Sequence, residues 1–135
     1  MPVKGQSQLE NLGHVLAAVV DGEWLEIVLE ISAASALTDT ALSVVRPDGT
    51  EDWSVKPTVE VFDACKDLRR SMYQPGNGTW YNATAHLGSD GQLDVDFDYS
   101  NPPFEGDAED EVLLKDQVSF PRDSDHLPDW HPSRT

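Results

Sequence analysis

Hydrophobic residues change their spacing several times along the chain, and each change predicts an element. Leu9, Leu12, Val15, Leu16, Val19 and Val20 recur at helical steps, and Asp21-Gly22 predicts where that helix stops. Residues 24–32 then alternate, with Leu25, Ile27, Leu29 and Ile31 set against Glu26, Val28, Glu30 and Ser32, which predicts a strand with one buried face. The small residues of 32–41 follow neither period and read as a turn or irregular connection. Residues 42–45 and 51–55 flank Arg46-Pro47-Asp48-Gly49-Thr50, whose Pro-Asp-Gly predicts a hairpin. Pro57 opens a second helix, at a position where a missing N–H is tolerated. Val61, Cys65, Leu68 and Met72 are spaced for its buried face, and Lys66, Arg69 and Arg70 form a basic patch on it.

The clearest alternation lies further on. Thr79–Leu87 and Leu93–Tyr99 read as two strands turned by Ser89-Asp90-Gly91. Tyr81, Ala83, Ala85 and Leu87 should share the core face with Leu93, Val95, Phe97 and Tyr99. The other face then carries Trp80, Asn82, Thr84, His86 and three carboxylates, Asp94, Asp96 and Asp98. A one-residue slip would bury all three acids, so the register is strongly specified. Asn101-Pro102-Pro103 breaks the sheet, residues 107–118 predict a short helix with acids in its first turn, and the proline-punctuated tail from about 119 reads as extended. The expected fold is α+β, one domain over residues 1–135. It has an antiparallel sheet of about five strands, a meander plus a C-terminal hairpin, packed with an N-terminal, a mid-chain and a short C-terminal helix.

Charge sharpens this picture. The chain has 135 residues with 25 acids against 9 Lys plus Arg, a net charge of −16. Residues 88–135 carry 13 of the acids and 3 of the bases, so the excess gathers around the aspartate strand. Such a surface repels nucleic acid and anionic membrane and attracts basic proteins. The single cysteine, Cys65, excludes an internal disulfide and any multi-cysteine zinc site, and its place on a helical stripe predicts a core residue. No stretch has the pattern of a signal peptide or a membrane span, so the expected compartment is the cytoplasm. The sequons at Asn77 and Asn82 are read as coincidental.

The same residues offer few sites for chemistry. Asp94, Asp96, Asp98, Ser100 and Glu105 fit positions 1, 3, 5, 7 and 12 of a calcium loop, but position 6 is Tyr99 where a sharp turn needs glycine. The intervening apolar residues demand a strand, which spaces i and i+2 carboxylates about 6.6 Å apart along the chain. His14, His86, His126 and His131 lack metalloprotease spacing, and the tail pair is better explained by packing through Trp130. A phosphate-binding glycine loop and a Gly-x-Ser-x-Gly elbow are both missing. No catalytic, metal-binding or cofactor-binding residue is expected, and no cofactor.

Three features in chain order resemble one family. They are the Gly22–Ser32 strand with Trp24, the Pro47-Asp48-Gly49 hairpin before a mid-chain helix, and above all residues 78–104. There Trp80, Asp90-Gly91 and then Phe97-Asp98-Tyr99 close an alternation of apolar and acidic residues. Together they resemble the YezG-like immunity proteins, antitoxins against bacterial polymorphic toxins, which are often nucleases and in some cases exported by type VII secretion. The resemblance spans roughly residues 10–130. It implies an α+β fold, no enzymatic activity, and inhibition of a toxin by direct binding; with the acidic surface, the expected partner is a basic toxin domain, with no direct binding to nucleic acid or membrane.

The expected toxin-binding surface is the Asp94, Asp96 and Asp98 face, with Glu105, Asp107 and Glu109 as a rim. A nuclease grips phosphate with basic groups, and two nucleotide steps along one DNA strand rise about 6.8 Å, close to the carboxylate spacing of a strand. Two other readings use the same residues. One is an acidic adaptor or nucleic-acid mimic for another basic protein; the other is a small hydrolase that would lose turnover with a single carboxylate.

Overall fold

The computed structural model describes residues 5–134. Its elements are α1 (Gln6–Val19), β1 (Glu26–Ala34), β2 (Leu37–Val45), β3 (Glu51–Asp52), α2 (Val59–Ser71), β4 (Asn82–Gly88), β5 (Leu93–Asp98) and α3 (Asp110–Ser119). The strands form one antiparallel sheet in the order β3-β2-β1-β4-β5. This is the single-domain α+β architecture that the periodicity predicts. α1 and α2 cover one face of the sheet. Leu12 and Leu16 from α1 and Val61, Ala64, Cys65 and Leu68 from α2 meet Ile27, Leu29, Ile31, Val44, Ala83 and Ala85 in a single core. Each fully buried Leu, Ile or Val there contributes about 1.5–3 kcal/mol, an upper figure because the unfolded chain is already partly collapsed.

The connection expected at 32–41 is instead a tight hairpin. β1 runs on through Ala33 and Ala34, and β2 starts at Leu37, so only Ser35 and Ala36 turn the chain. Small residues hid this because alanine and serine carry little periodic signal, and Ser35 takes the turn at φ 56° without being glycine. Its N–H is held by the Asp116 carboxylate at 2.6 Å, a bond from a distant helix that offsets the strain. α2 begins two residues after Pro57, with Thr58 as its cap residue.

The register of the C-terminal hairpin is the expected one from Leu87↔Leu93 to Asn82↔Asp98. Trp80, however, is not on the outer face. It is fully buried, its ring 5.7 Å from that of Phe97. Tyr81 N–H bonds the Asp98 carbonyl at 3.0 Å although Asn82 is the partner of Asp98, so two residues face one and the strand bulges. A bulge re-aims the side chains before it, which puts Trp80 in the main core and Tyr81 beneath the tail.

The tail is folded rather than extended. Arg122 is buried, donating to the carbonyls of Thr79 at 2.6 Å, Tyr99 at 2.9 Å and His126 at 3.1 Å while lying 4.3 Å over the Tyr81 ring. Trp130 meets Tyr81 edge-on at 5.0 Å, the packing that the sequence predicts for it, and donates to the Ser100 carbonyl at 2.6 Å. Gly78 makes room for this: a Cβ there would stand 2.5 Å from Arg122 Cγ.

His131 closes the tail, buried, with Nδ1 accepting from the Ser133 N–H at 3.1 Å. Burial pushes its imidazole below the ordinary value; Asp116 opposes that shift, and Arg122 adds to it. The neutral form is therefore favoured in the folded state. The unfolded chain takes up the proton near pH 6.5 and the folded chain only at lower pH, so this contribution to stability is present above about pH 6.5 and is lost as pH falls below it. His131→Gln should remove that dependence. Wild-type melting temperature should drop more than the variant's between about pH 7.5 and about pH 5.5; parallel curves would show that His131 titrates normally.

Candidate functional site

α1 and α2 cover one face of the sheet and leave the other open, and strand register decides what that face shows. β1, β2, β4 and β5 contain no Lys or Arg. Cross-strand pairing sets Asp94, His86, Val28 and Ser43 in one row, and Asp96, Thr84, Glu30 and Ala41 in the next. The third row is Asp98, Asn82, Ser32 and Asp39. Neighbouring strands lie about 4.8 Å apart, so Asp96 and Glu30, two strands apart, stand about 10 Å from each other in the sheet. Glu26 adds a further acid, with His86 Nδ1 3.5 Å from its carboxylate.

Residues 101–107 fold over the far end of this face. Asn82 Nδ2 donates to the Asn101 and Pro102 carbonyls at 3.1 and 3.2 Å, and Ser32 donates to Asn82 at 2.7 Å. Phe104 and Glu105 both hold a left-handed backbone, φ 57° and 56°, each at a cost of order 1–3 kcal/mol for a residue with a side chain. The bend makes Phe104, Glu105 and Asp107 one wall of an open groove of about 440 Å³ whose other wall includes Glu30 and Asp39. Four carboxylates line it.

The expected site residues therefore divide. Asp94 and Asp96 are exposed on the open face, and Glu105 and Asp107 line the groove with Glu30, which shares a row with Asp96. Asp98 has a local task instead. Its carboxylate accepts from the Ser100 N–H at 2.9 Å, the Asn101 N–H at 3.0 Å and Asn101 Nδ2 at 2.8 Å, which ends the strand. Partial burial pushes its carboxyl up, but the bonds from Asn101 and Ser100 outweigh this and hold it below the usual range. Glu109 is exposed just before α3 and does not line the groove. Glu26, Glu30 and Asp39 belong to the face and were missed. The signal was present for Glu26 and Glu30, which occupy the polar positions of the first alternating strand.

The helical basic patch also changes. Arg69 is buried in a two-pronged pair with Asp116, at 2.5 and 2.9 Å, leaving only Lys66 and Arg70 exposed. Cys65 lies in the core, and burial pushes its thiol up to about 12, where the nucleophilic thiolate is negligible. Among the described residues no cluster of three or more His, Cys, Asp or Glu is placed to hold a metal ion, and no helix is long and apolar enough to cross a membrane. What the open face can do is set up a negative field over a broad, accessible surface. No protein-family model matches the chain, and no curated protein is detectably similar to it.

Proposed function

We propose that this protein is an immunity protein of the YezG-like kind, neutralising a basic toxin domain, foremost a nuclease, by stoichiometric binding through its acidic sheet face. The observation that carries this reading is the register itself: four paired strands bring acids from β1, β2 and β5 onto one uncovered face with no Lys or Arg among them. A nuclease must be positive where it grips phosphate, and a field of the opposite sign accelerates its capture, to roughly 10⁸ M⁻¹s⁻¹ or more at low salt. Speed matters to an antitoxin, which must reach its target in the cytoplasm before damage accumulates. The strained turn at Phe104 and Glu105 supports the same reading, since left-handed residues of this kind concentrate at functional sites.

The test is co-expression with the cognate toxin domain. Growth should be rescued, and a one-to-one complex should be recovered whose association slows steeply as salt rises. Equal binding to unrelated basic proteins would instead assign the face to a general acidic adaptor. Turnover of a small substrate that a single carboxylate substitution abolishes would replace both readings with an enzyme.

A further inference from the structure

The sheet ends in β5, and the side of β5 turned away from β4 is unpaired. Gly88 N–H bonds the Gln92 carbonyl at 2.9 Å and Tyr81 N–H the Asp98 carbonyl at 3.0 Å. In an antiparallel ladder the bonded positions alternate, so Asp94, Asp96 and Asp98 exchange bonds with β4. Leu93, Val95 and Phe97 then direct their N–H and C=O groups outward, and no hydrogen bond among the described residues takes them up. The side chains of this edge are sorted by face. Asp94 and Asp96 project on the open acidic side, while Leu93, Val95 and Phe97, partly buried, border the core. Beside Leu93 an open apolar groove of about 480 Å³ continues along α1, lined by Leu9, Gly13, Ala17, Trp24 and Leu87.

We propose that β5 is a docking edge that a strand of the basic partner joins as a sixth strand, with Lys or Arg at alternate positions beside Asp94 and Asp96 and apolar residues between them facing the α1 groove. The proposal rests on the acidic-face reading above and specifies how that face is used. Strand addition supplies main-chain bonds for affinity and alternating side-chain positions for specificity. A second copy of this chain is disfavoured as the occupant: pairing β5 with itself about Val95 would set Asp94 opposite Asp96, like charges directly across the ladder. The other long edge is a poorer match. Along β2 beyond β3, the open-face positions are Leu37, Asp39 and Ala41, with one acid among three, and Lys66 and Arg70 of α2 share a cleft with Thr38. Among the described strands, β5 combines an unused backbone edge at Leu93, Val95 and Phe97 with acids, Asp94 and Asp96, on the open face between them.

The experiment uses the full chain and a short peptide alternating lysine with valine, with a control peptide of the same composition in which the lysines are grouped. Amide exchange is followed by NMR. At saturation the alternating peptide should slow exchange at Leu93, Val95 and Phe97 by about tenfold or more, and leave Asp94 and Asp96, already in the ladder, little changed. Val95→Pro removes an outward N–H without touching a bond to β4 and should weaken peptide binding about tenfold or more. The double change Asp94→Asn, Asp96→Asn keeps the edge backbone and should weaken binding through charge alone. If the grouped peptide binds as tightly and neither peptide protects the three amides, strand addition is overturned while the acidic-face reading stands. If neither lysine peptide binds, both fall. Should Val95→Pro fail to fold, protection of the three wild-type amides still decides.

Discussion

Asp116→Ala is expected to lower folding stability by about 3–5 kcal/mol, the cost of leaving a buried charge without its partner. Arg69 and Asp116 keep only 3% and 4% of their side-chain surface exposed. The guanidinium has no access to water that could replace the carboxylate. It is fixed by both Asp116 oxygens and by the Trp80 carbonyl at 2.7 Å, and Asp116 also holds the strained Ser35 turn. Removing the carboxylate therefore strands one charge and releases the β1–β2 hairpin together. Urea unfolding of wild type and variant measures the loss, and a loss under about 1 kcal/mol would show that the site rehydrates. The double change Arg69→Met, Asp116→Leu separates pairing from packing. With both charges gone it should recover most of the stability, because apolar replacements of buried pairs are often neutral or stabilising. If the double variant is no more stable than Asp116→Ala, the pair was chiefly orienting the Ser35 turn.

Neither partner of this pair carries a decisive local signal of burial. Arg69 lies four residues after Cys65 and next to Leu68, so helical spacing puts it on the edge of the buried stripe; its charge alone assigned it to a surface patch. Asp116 was hidden by abundance, one acid among 25, and its partner is 47 residues away. Period-based reasoning succeeded where one face of an element is apolar and the other polar, as in α1, β1 and the β4–β5 hairpin. It failed where residues are small, at Ala33-Ala34-Ser35-Ala36, where a bulge re-aims side chains, at Trp80, and where prolines imitate an extended tail. The acidic face was half legible. Alternation exposed Asp94 and Asp96 within one strand, but Glu26, Glu30 and Asp39 join them only through pairing between strands distant in sequence, which a local pattern does not encode. Asp98 was misassigned because an alternating strand gives no sign of where it stops, and the stop is the work Asp98 does.

The division between Asp98 and its neighbours sharpens the functional test. Glu30→Gln, Asp94→Asn and Asp96→Asn together remove three charges from adjacent rows without altering side-chain shape. Folding should be unharmed or slightly improved, because like charges gathered on one face repel and none of the three closes a turn or caps an element. Binding to the cognate toxin domain should fall by roughly a hundredfold at low salt. The loss should sit mainly in the association rate for carboxylates that stay solvated in the complex, and in dissociation, at about 2–5 kcal/mol, for any that the toxin desolvates. Raising salt from about 0.1 M to about 1 M shortens the screening length from about 10 Å to about 3 Å, so the two association rates should converge. Asp98→Asn is the contrasting control: it weakens the acceptor for the Ser100 and Asn101 amides, so it should lower thermal stability and change toxin binding little. A triple variant that binds and protects like wild type at every salt concentration would reduce the acidic face to a solvated surface and move the toxin contact elsewhere.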